Sequence, residues 1–312
     1  MNKSLITKLS GIVKNDSLLR IGEMRIKVNK VSNPNAANRS IFLSVNKPVT
    51  VEVLGDGYFT DNALSVNKGK TSNLSIGSNS IFLSNNDLVL SILDKYSITQ
   101  LSKQGNVSAD SKSGLNKEIN IEDLKYSTAL TVFNADNTQV NGNIDSLKNL
   151  TALTSLSLNS TQVNGNIDSL KSLTALTYLS LGNTQVPLTG DIGELSVLSK
   201  CDKMNFSYSK LTGDLANLPS VCRFVSFSGD KGSIFTWGTR PSSAKIIAME
   251  GKASLTNIDK MLQDQAKCQI GFSSSDQVWY KTINIAGNRT SASDDAVAIL
   301  QQKGYTVSIT PA

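Results

Sequence analysis

Between Leu130 and Leu181 the chain repeats itself at an interval of 23 residues. Leu130-Thr-Val-Phe133-Asn-Ala135 returns as Leu153-Thr-Ser-Leu156-Ser-Leu158 and again as Leu176-Thr-Tyr-Leu179-Ser-Leu181. The segment NTQVNGNIDSLKNLTALT from Asn137 recurs almost letter for letter as STQVNGNIDSLKSLTALT from Ser160. In-phase repetition of this length excludes most globular folds, because each copy must adopt the same local structure and stack on its neighbours.

A 23-residue period headed by L-x-x-L-x-L is a leucine-rich repeat. Its head reads as a short strand in a parallel sheet, with alternate leucines inward and the residues between them outward. The inward ladder expected from the phase runs Phe133, Leu156, Leu179, Met204, Val225. Thr138, Thr161 and Thr184 stand where a hydroxyl can bond turn backbone. Gly142, Gly165, Gly190 and Gly213 mark turns, followed by inward Ile144, Ile167, Ile192 and Leu215, then by Leu147, Leu170, Leu195 and Leu218. No P-loop or G-x-G-x-x-G spacing surrounds those glycines.

The phase extends both ways. Ile121 and Leu124 open a partial coil, while Cys201 and Cys222 fill the first leucine slot of later coils and read as small buried apolar groups. Ile247 and Met249 head a longer coil. A helix follows over 256–266, capped by Thr256 with Asp259 three residues on. Ile283 and Ile285 mark a strand, 294–303 a second helix ended by Gly304, and 305–309 the last strand. The pattern assigns nothing to 268–280.

The first third differs. Leu5, Leu9, Ile12 and Val13 share one helical face within residues 1–20, and alternating strands are expected at 24–28, 49–53 and 88–92, with Ser40-Ile-Phe-Leu-Ser44 duplicated as Ser80-Ile-Phe-Leu-Ser84. The fold class is therefore α/β: a small β-sandwich over 21–105, a linker at 106–115 and a leucine-rich-repeat solenoid over 116–312, with a parallel sheet and with helices in the C-terminal coils. Residues 1–105 hold 13 Lys/Arg against 7 Asp/Glu, whereas the remainder is balanced at 18 and 18, so the net +6 belongs to the first third. Lys3, Lys8 and Lys14 beside the apolar helix face make 1–20 a candidate anchor to a partner carrying acidic groups.

Composition narrows the chemistry. The chain has no histidine, which removes Ser-His-Asp and Cys-His catalysis and His-ligated zinc. Its three cysteines form no C-x-x-C pair. A carboxylate mechanism would need a pair such as Asp145 and Asp168, but these are one turn residue copied twice. Asp56 and Asp61 around Gly55-Asp56-Gly57 have calcium-type oxygens, and a glycine turn is the simpler account. No catalytic residue, cofactor or metal is expected, nor any membrane span or export signal. The outward strand positions (Thr131, Val132, Asn134; Thr154, Ser155, Ser157; Thr177, Tyr178, Ser180; Asp202, Lys203, Asn205) read as small, polar and solvated. Ser157→Ala should then cost under about 0.5 kcal/mol. Tyr178 and Tyr208 are the candidate contacts on this otherwise hydrophilic face.

The N-G-N-I and L-T-G-D-I turns resemble the LTGxIP step of plant-type leucine-rich repeats, without its proline and with threonine for the usual Asn. Together with I-G-E-M-R-I (Ile21 to Ile26) and S-A-S-D-D-A-V…L-Q-Q-K-G-Y-T-V-S-I (Ser291 to Ile309), the chain is similar to leucine-rich-repeat virion proteins of crAss-like bacteriophages of gut Bacteroidetes, head-fibre-type proteins in particular. That resemblance implies a non-enzymatic structural protein of the virion, assembled in the bacterial cytoplasm. It implies homo-oligomerisation, docking to capsid or other virion proteins, and display of the repeats toward a host surface protein or glycan. A bacterial leucine-rich-repeat surface adhesin is the alternative.

Overall fold

The computed structural model describes residues 120–228 and 232–311, except the side chains of 252–254, and between 24 and 118 the backbone of ten strands. The expected anchor residues Lys3, Leu5, Lys8, Leu9, Ile12 and Lys14, the linker at 106–115 and the Asp56 turn lie outside the described residues.

Eight strands carry the repeat sheet: β1 (Val132–Asn134), β2 (Ser155–Ser157), β3 (Tyr178–Ser180), β4 (Lys203–Asn205), β5 (Phe224–Phe227), β6 (Ala248–Leu255), β7 (Thr282–Ala286) and β8 (Thr306–Thr310). All pair in parallel and in chain order, with Phe133, Leu156, Leu179, Met204, Val225, Met249, Ile283 and Val307 in one register. Phe133 through Ile283 in that ladder are fully buried, as the period predicts, and they belong to one core cluster running from Ile121 to Tyr305. Phe133 apart, the core is aliphatic in the regular coils. It turns aromatic beyond them, at Phe206, Phe227, Phe235 and Trp237.

The N-G-N and T-G-D turns do more than reverse the chain. Asn143 and Asn166 accept from the backbone N–H two residues on, at 2.9 and 2.8 Å, and Asp191 and Asp214 do the same at 2.7 and 2.9 Å. Each thereby caps a short 3-10 turn whose Ile or Leu points inward. Gly165 has φ +118°, and a Cβ there would lie 2.5 Å from the Asn143 Oδ1 of the preceding coil. The glycine of one coil thus makes room for the cap of the coil before it. That dependence explains why Gly and the cap residue travel together in the motif.

Thr138 and Thr161 donate to Ala135 O and Leu158 O at 2.6 and 2.7 Å, as expected for turn hydroxyls, whereas Thr184 donates to Val186 O. Cys201 and Cys222 are buried free thiols in adjacent coils, as expected. Helix α1 spans Ile258–Lys267 and α2 spans Asp294–Gln302. Thr256 does not cap α1: the residue before the helix is Asn257, in the left-handed conformation with φ 61° and no side-chain cap bond. Thr256 is held instead by its backbone N–H to Phe235 O, and Asp259 accepts from Thr290 and Ser293.

The ten earlier strands pair antiparallel with one another, except that Ile98–Lys103 also joins β1 in parallel, Leu101 opposite Phe133. The repeat sheet is thereby continued by a strand from the first third. The duplicated SIFLS segments are partners: Ser40–Val45 pairs with Gly77–Leu83, Ile41 opposite Ile81. Met24–Asn29, Val49–Val53 and Leu88–Ile92 form the strands expected, in a separate antiparallel sheet with Thr71–Leu74 and Asn116–Glu118. The side chains that would pack these sheets as a sandwich lie outside the described residues. Among the described residues no helix is long and apolar enough to cross a membrane.

Candidate interaction surface

The outward positions of the repeat sheet form two rows. In one, Asn134, Ser157, Ser180, Asn205, Ser226 and Glu250 stand side by side. Its middle is not solvated as the sequence suggests: Ser157 and Ser180 are each 1% exposed. Ser157 Oγ donates to both carboxylate oxygens of Asp136, at 2.8 and 2.9 Å. Ser180 Oγ and Gly182 N donate to Asn159 Oδ1, each at 2.8 Å, while Ser207 donates to Asn205 Oδ1. Carboxylates and amides of the turn after each strand thus bind the strand hydroxyls of the next coil. From Ser157 to Ser226 this row stitches coils together through its own hydrogen bonds, whereas Glu250 at its far end is exposed.

The other row is Val132, Ser155, Tyr178, Lys203, Phe224 and Ala248. Here the side chains grow, and the segment left unassigned by the sequence packs over them. Residues Val278–Lys281 form a 3-10 turn. Phe224 meets Trp279 edge-on at 4.9 Å and Tyr280 at 5.8 Å, and the two latter rings stack at 4.8 Å. Phe224 is consequently only 3% exposed although it points outward. Lys203 Nζ lies 3.7 Å from the Trp279 ring centre and 5.3 Å from that of Tyr178. Burial lowers the Lys203 pKa from the ordinary lysine value, opposed by the nearby Asp202.

Arg223 fixes this arrangement. Its guanidinium forks onto Asp202 at 2.5 and 2.6 Å and donates to Gly271 O and Asp276 Oδ2, each at 3.0 Å. It also lies 4.8 Å from the Tyr280 ring centre. Hydrogen bonding to Asp202 raises its pKa further, so the charge is permanent. The signal in the sequence was the pair Trp279-Tyr280 together with Arg223 at an outward position.

Of the two tyrosines singled out by sequence, Tyr178 belongs to this cluster and Tyr208 to another surface. Tyr208 follows β4, is 40% exposed and lines a groove with Ser160, Asn183, Gln185 and Pro187. Asp145 and Asp168 serve the turns: Asp168 Oδ1 accepts from Asp191 N at 2.9 Å, and both follow the cap residues of their 3-10 turns. Among the described residues no three His, Cys, Asp or Glu side chains gather as a metal site requires.

The chain matches no protein-family model and no curated protein. Solved structures similar to it include leucine-rich-repeat ectodomains. The ectodomain of GASSHO1/SCHENGEN3 from Arabidopsis thaliana, in complex with CASPARIAN STRIP INTEGRITY FACTOR 2, is 18% identical with a TM-score of 0.42 over 64% of this chain and 23% of that one. The PEPR1-AtPEP1 structure is 15% identical with a TM-score of 0.42 over 69% and 35%. The BIR2 ectodomain from Arabidopsis thaliana is 22% identical with a TM-score of 0.31 over 38% of this chain, which spans 64% of that ectodomain.

Proposed function

We propose that the chain is a non-enzymatic binding component that presents the outward face of its repeat sheet to a macromolecular partner. The observation that carries this reading is the cluster of Tyr178, Lys203 and Trp279, where a partly buried cation lies against aromatic rings beside an otherwise self-satisfied polar sheet. Aromatic side chains with an adjacent cation are what interface hot spots are made of, and Arg223 holds them in place before any partner arrives. The absence of histidine supports a role without catalysis.

The finer reading is a head fibre or decoration protein of a bacteriophage particle, homo-oligomeric and docked to capsid or other virion proteins through its basic first segment, with the repeats facing a host surface protein or glycan. It is supported by the sequence resemblance and by the charge confined to the first third. Mass spectrometry of gradient-purified particles tests it: the intact chain should co-purify with the capsid protein, and its restriction to host cell envelopes would favour the adhesin reading instead. For the sheet face, fluorescently labelled full-length protein should bind host cells, and Trp279→Ala should lower that binding at least about tenfold. Unchanged binding by Trp279→Ala would remove the cluster from the interface.

A further inference from the structure

The groove beside Tyr208 coincides with two departures from the repeat. From Leu153 to Leu176 the period is 23, but from Leu176 to Cys201 it is 25. The added pair falls in NTQVPLTGD (183–191), which replaces the NTQVNGN (137–143) and STQVNGN (160–166) of the two preceding coils. Leu188 takes the inward slot that Val163 holds one coil earlier, and Val186 is displaced outward to 54% exposure. The hydroxyl of Thr184 turns to Val186 O, closing the enlarged loop.

The second departure is in the next coil. Asn137, Ser160, Asn183 and Tyr208 occupy one turn position, all left-handed with φ 55°, 54°, 57° and 62°. The same bond clamps each: the backbone N–H donates to the carbonyl of the following coil, Asn159, Gly182, Ser207 and Ser228, at 2.7 to 2.9 Å. Asn tolerates this conformation, whereas a bulky aromatic residue there is a true outlier, strained by about 1–2 kcal/mol. The chain therefore keeps a costly, half-exposed aromatic ring beside the one enlarged loop among these coils.

Between the two lies a groove of about 450 Å³ lined by Ser160, Asn183, Thr184, Gln185, Pro187 and Tyr208. Among the described residues no side chain lining it is charged. Its amides and hydroxyls offer both donors and acceptors, with the proline and the tyrosine ring supplying apolar area. Asn183 Nδ2 donates to Ser160 Oγ at 3.0 Å, which ties one wall together. That lining disfavours phosphate, carboxylate and cationic ligands, which would need a fixed opposite charge. It suits a neutral molecule with alternating hydroxyls and a flat C–H face.

We propose that this groove is a binding site for a neutral oligosaccharide, with the sugar ring seated on Tyr208 and its hydroxyls met by Asn183 and Gln185. The site goes beyond the sheet-face reading and uses different residues. The test is isothermal calorimetry of the full-length protein with maltoheptaose, cellohexaose, mannohexaose and chitohexaose, each up to about 10 mM, a concentration that reveals even millimolar affinity. At least one should bind. Tyr208→Asn should weaken it at least about tenfold while raising the melting temperature, since Asn relieves the backbone strain. Loss of binding thus cannot be laid to misfolding. Trp279→Ala should leave this binding unchanged, so failure of the sheet-face reading and failure of the groove remain separable. If none of the four sugars binds, or if Tyr208→Asn binds as wild type does, the proposal is overturned.

Discussion

Asp136 Oδ1 accepts from both the backbone N–H and the side-chain Nδ2 of Asn159, its equivalent one coil later, at 2.7 and 3.0 Å. Asn159 then uses its own Oδ1 in the same way toward Gly182 N at 2.8 Å. The first carboxylate of this chain of bonds is therefore an end group: it accepts four hydrogen bonds from Ser157 and Asn159 and donates none. The regularity of the repeats is held on the outside of the sheet by polar bonds as well as on the inside by leucines.

One consequence reverses an expectation. Leu156→Ala removes buried methyls between stacked coils and should cost about 2–5 kcal/mol. Ser157→Ala, expected from the sequence to be nearly free, should cost about 1–2 kcal/mol, because it takes a hydroxyl donor away from a carboxylate that is largely enclosed. Urea denaturation of the two variants measures both. A Ser157→Ala midpoint equal to wild type would show that solvent replaces the lost bond.

The glycine of each turn gives a second prediction. Gly165→Ala must place a methyl in a left-handed backbone at φ +118° and against Asn143 Oδ1, the cap of the previous turn. Destabilisation by about 1–3 kcal/mol is expected. Combining it with Asn143→Ala should cost less than the two single changes added, since the methyl then has no cap to displace. Additive costs would mean that the two positions are independent.

The repeat ladder was legible because the 23-residue phase fixes which side chain faces in, and Cys201 and Cys222 could be placed in leucine slots from phase alone. What the phase could not convey was anything decided between distant parts of the chain. Ser157 and Ser180 look solvated in sequence because their burial depends on Asp136 and Asn159 reaching across from the coil before. Thr256 with Asp259 has the local pattern of a cap, but β-sheet pairing to Phe235 takes the threonine and the next coil recruits the aspartate. The 268–280 segment has no periodicity; Arg223 determines its course, through Gly271 and Asp276. Tyr208 was visible as an exposed aromatic, yet its left-handed backbone follows only from aligning it with Asn137, Ser160 and Asn183.

Arg240 carries the third prediction. It is 3% exposed, and among the described residues no carboxylate forms an ion pair with its guanidinium. Its donors go to the carbonyls of Ala216, Leu218, Pro219 and Lys245, at 2.9 to 3.3 Å, satisfying the end of a 3-10 turn and the chain beyond it. Arg240→Lys retains the charge but loses the fork, leaving buried carbonyls unpaired, and should cost at least about 2 kcal/mol. Because no surface ion pair is lost, the fall in melting temperature should be the same in low and in high salt. A salt-dependent difference would point to an electrostatic role instead.

The buried thiols make stability depend on alkaline pH. Cys222 is wholly buried, and desolvation raises its pKa to about 12, while Cys201 and Cys268 are raised for the same reason. In the unfolded chain a thiol ionises near pH 8.5. Between about pH 8.5 and 12 the folded state therefore keeps a proton at Cys222 that the unfolded state has released, so rising pH favours unfolding; below about pH 8.5 the thiol is protonated in both states and has no such effect. Other groups, lysines among them, also titrate at alkaline pH, so the comparison that isolates the thiol is wild type against Cys222→Ala. Cys222→Ala loses packing at every pH and should be the less stable protein at about pH 8, but the gap should narrow steadily towards about pH 11, because only wild type carries the ionisation penalty of Cys222, while that of Cys201 and Cys268 is common to both proteins. In the same proteins, iodoacetamide should leave all three native cysteines unmodified at about pH 8 and label them once urea is added. A stability gap that stays constant from about pH 8 to about pH 11, or rapid native labelling of Cys222, would show that the thiol is reached by solvent and that the coil interface around it opens far more readily than its burial implies.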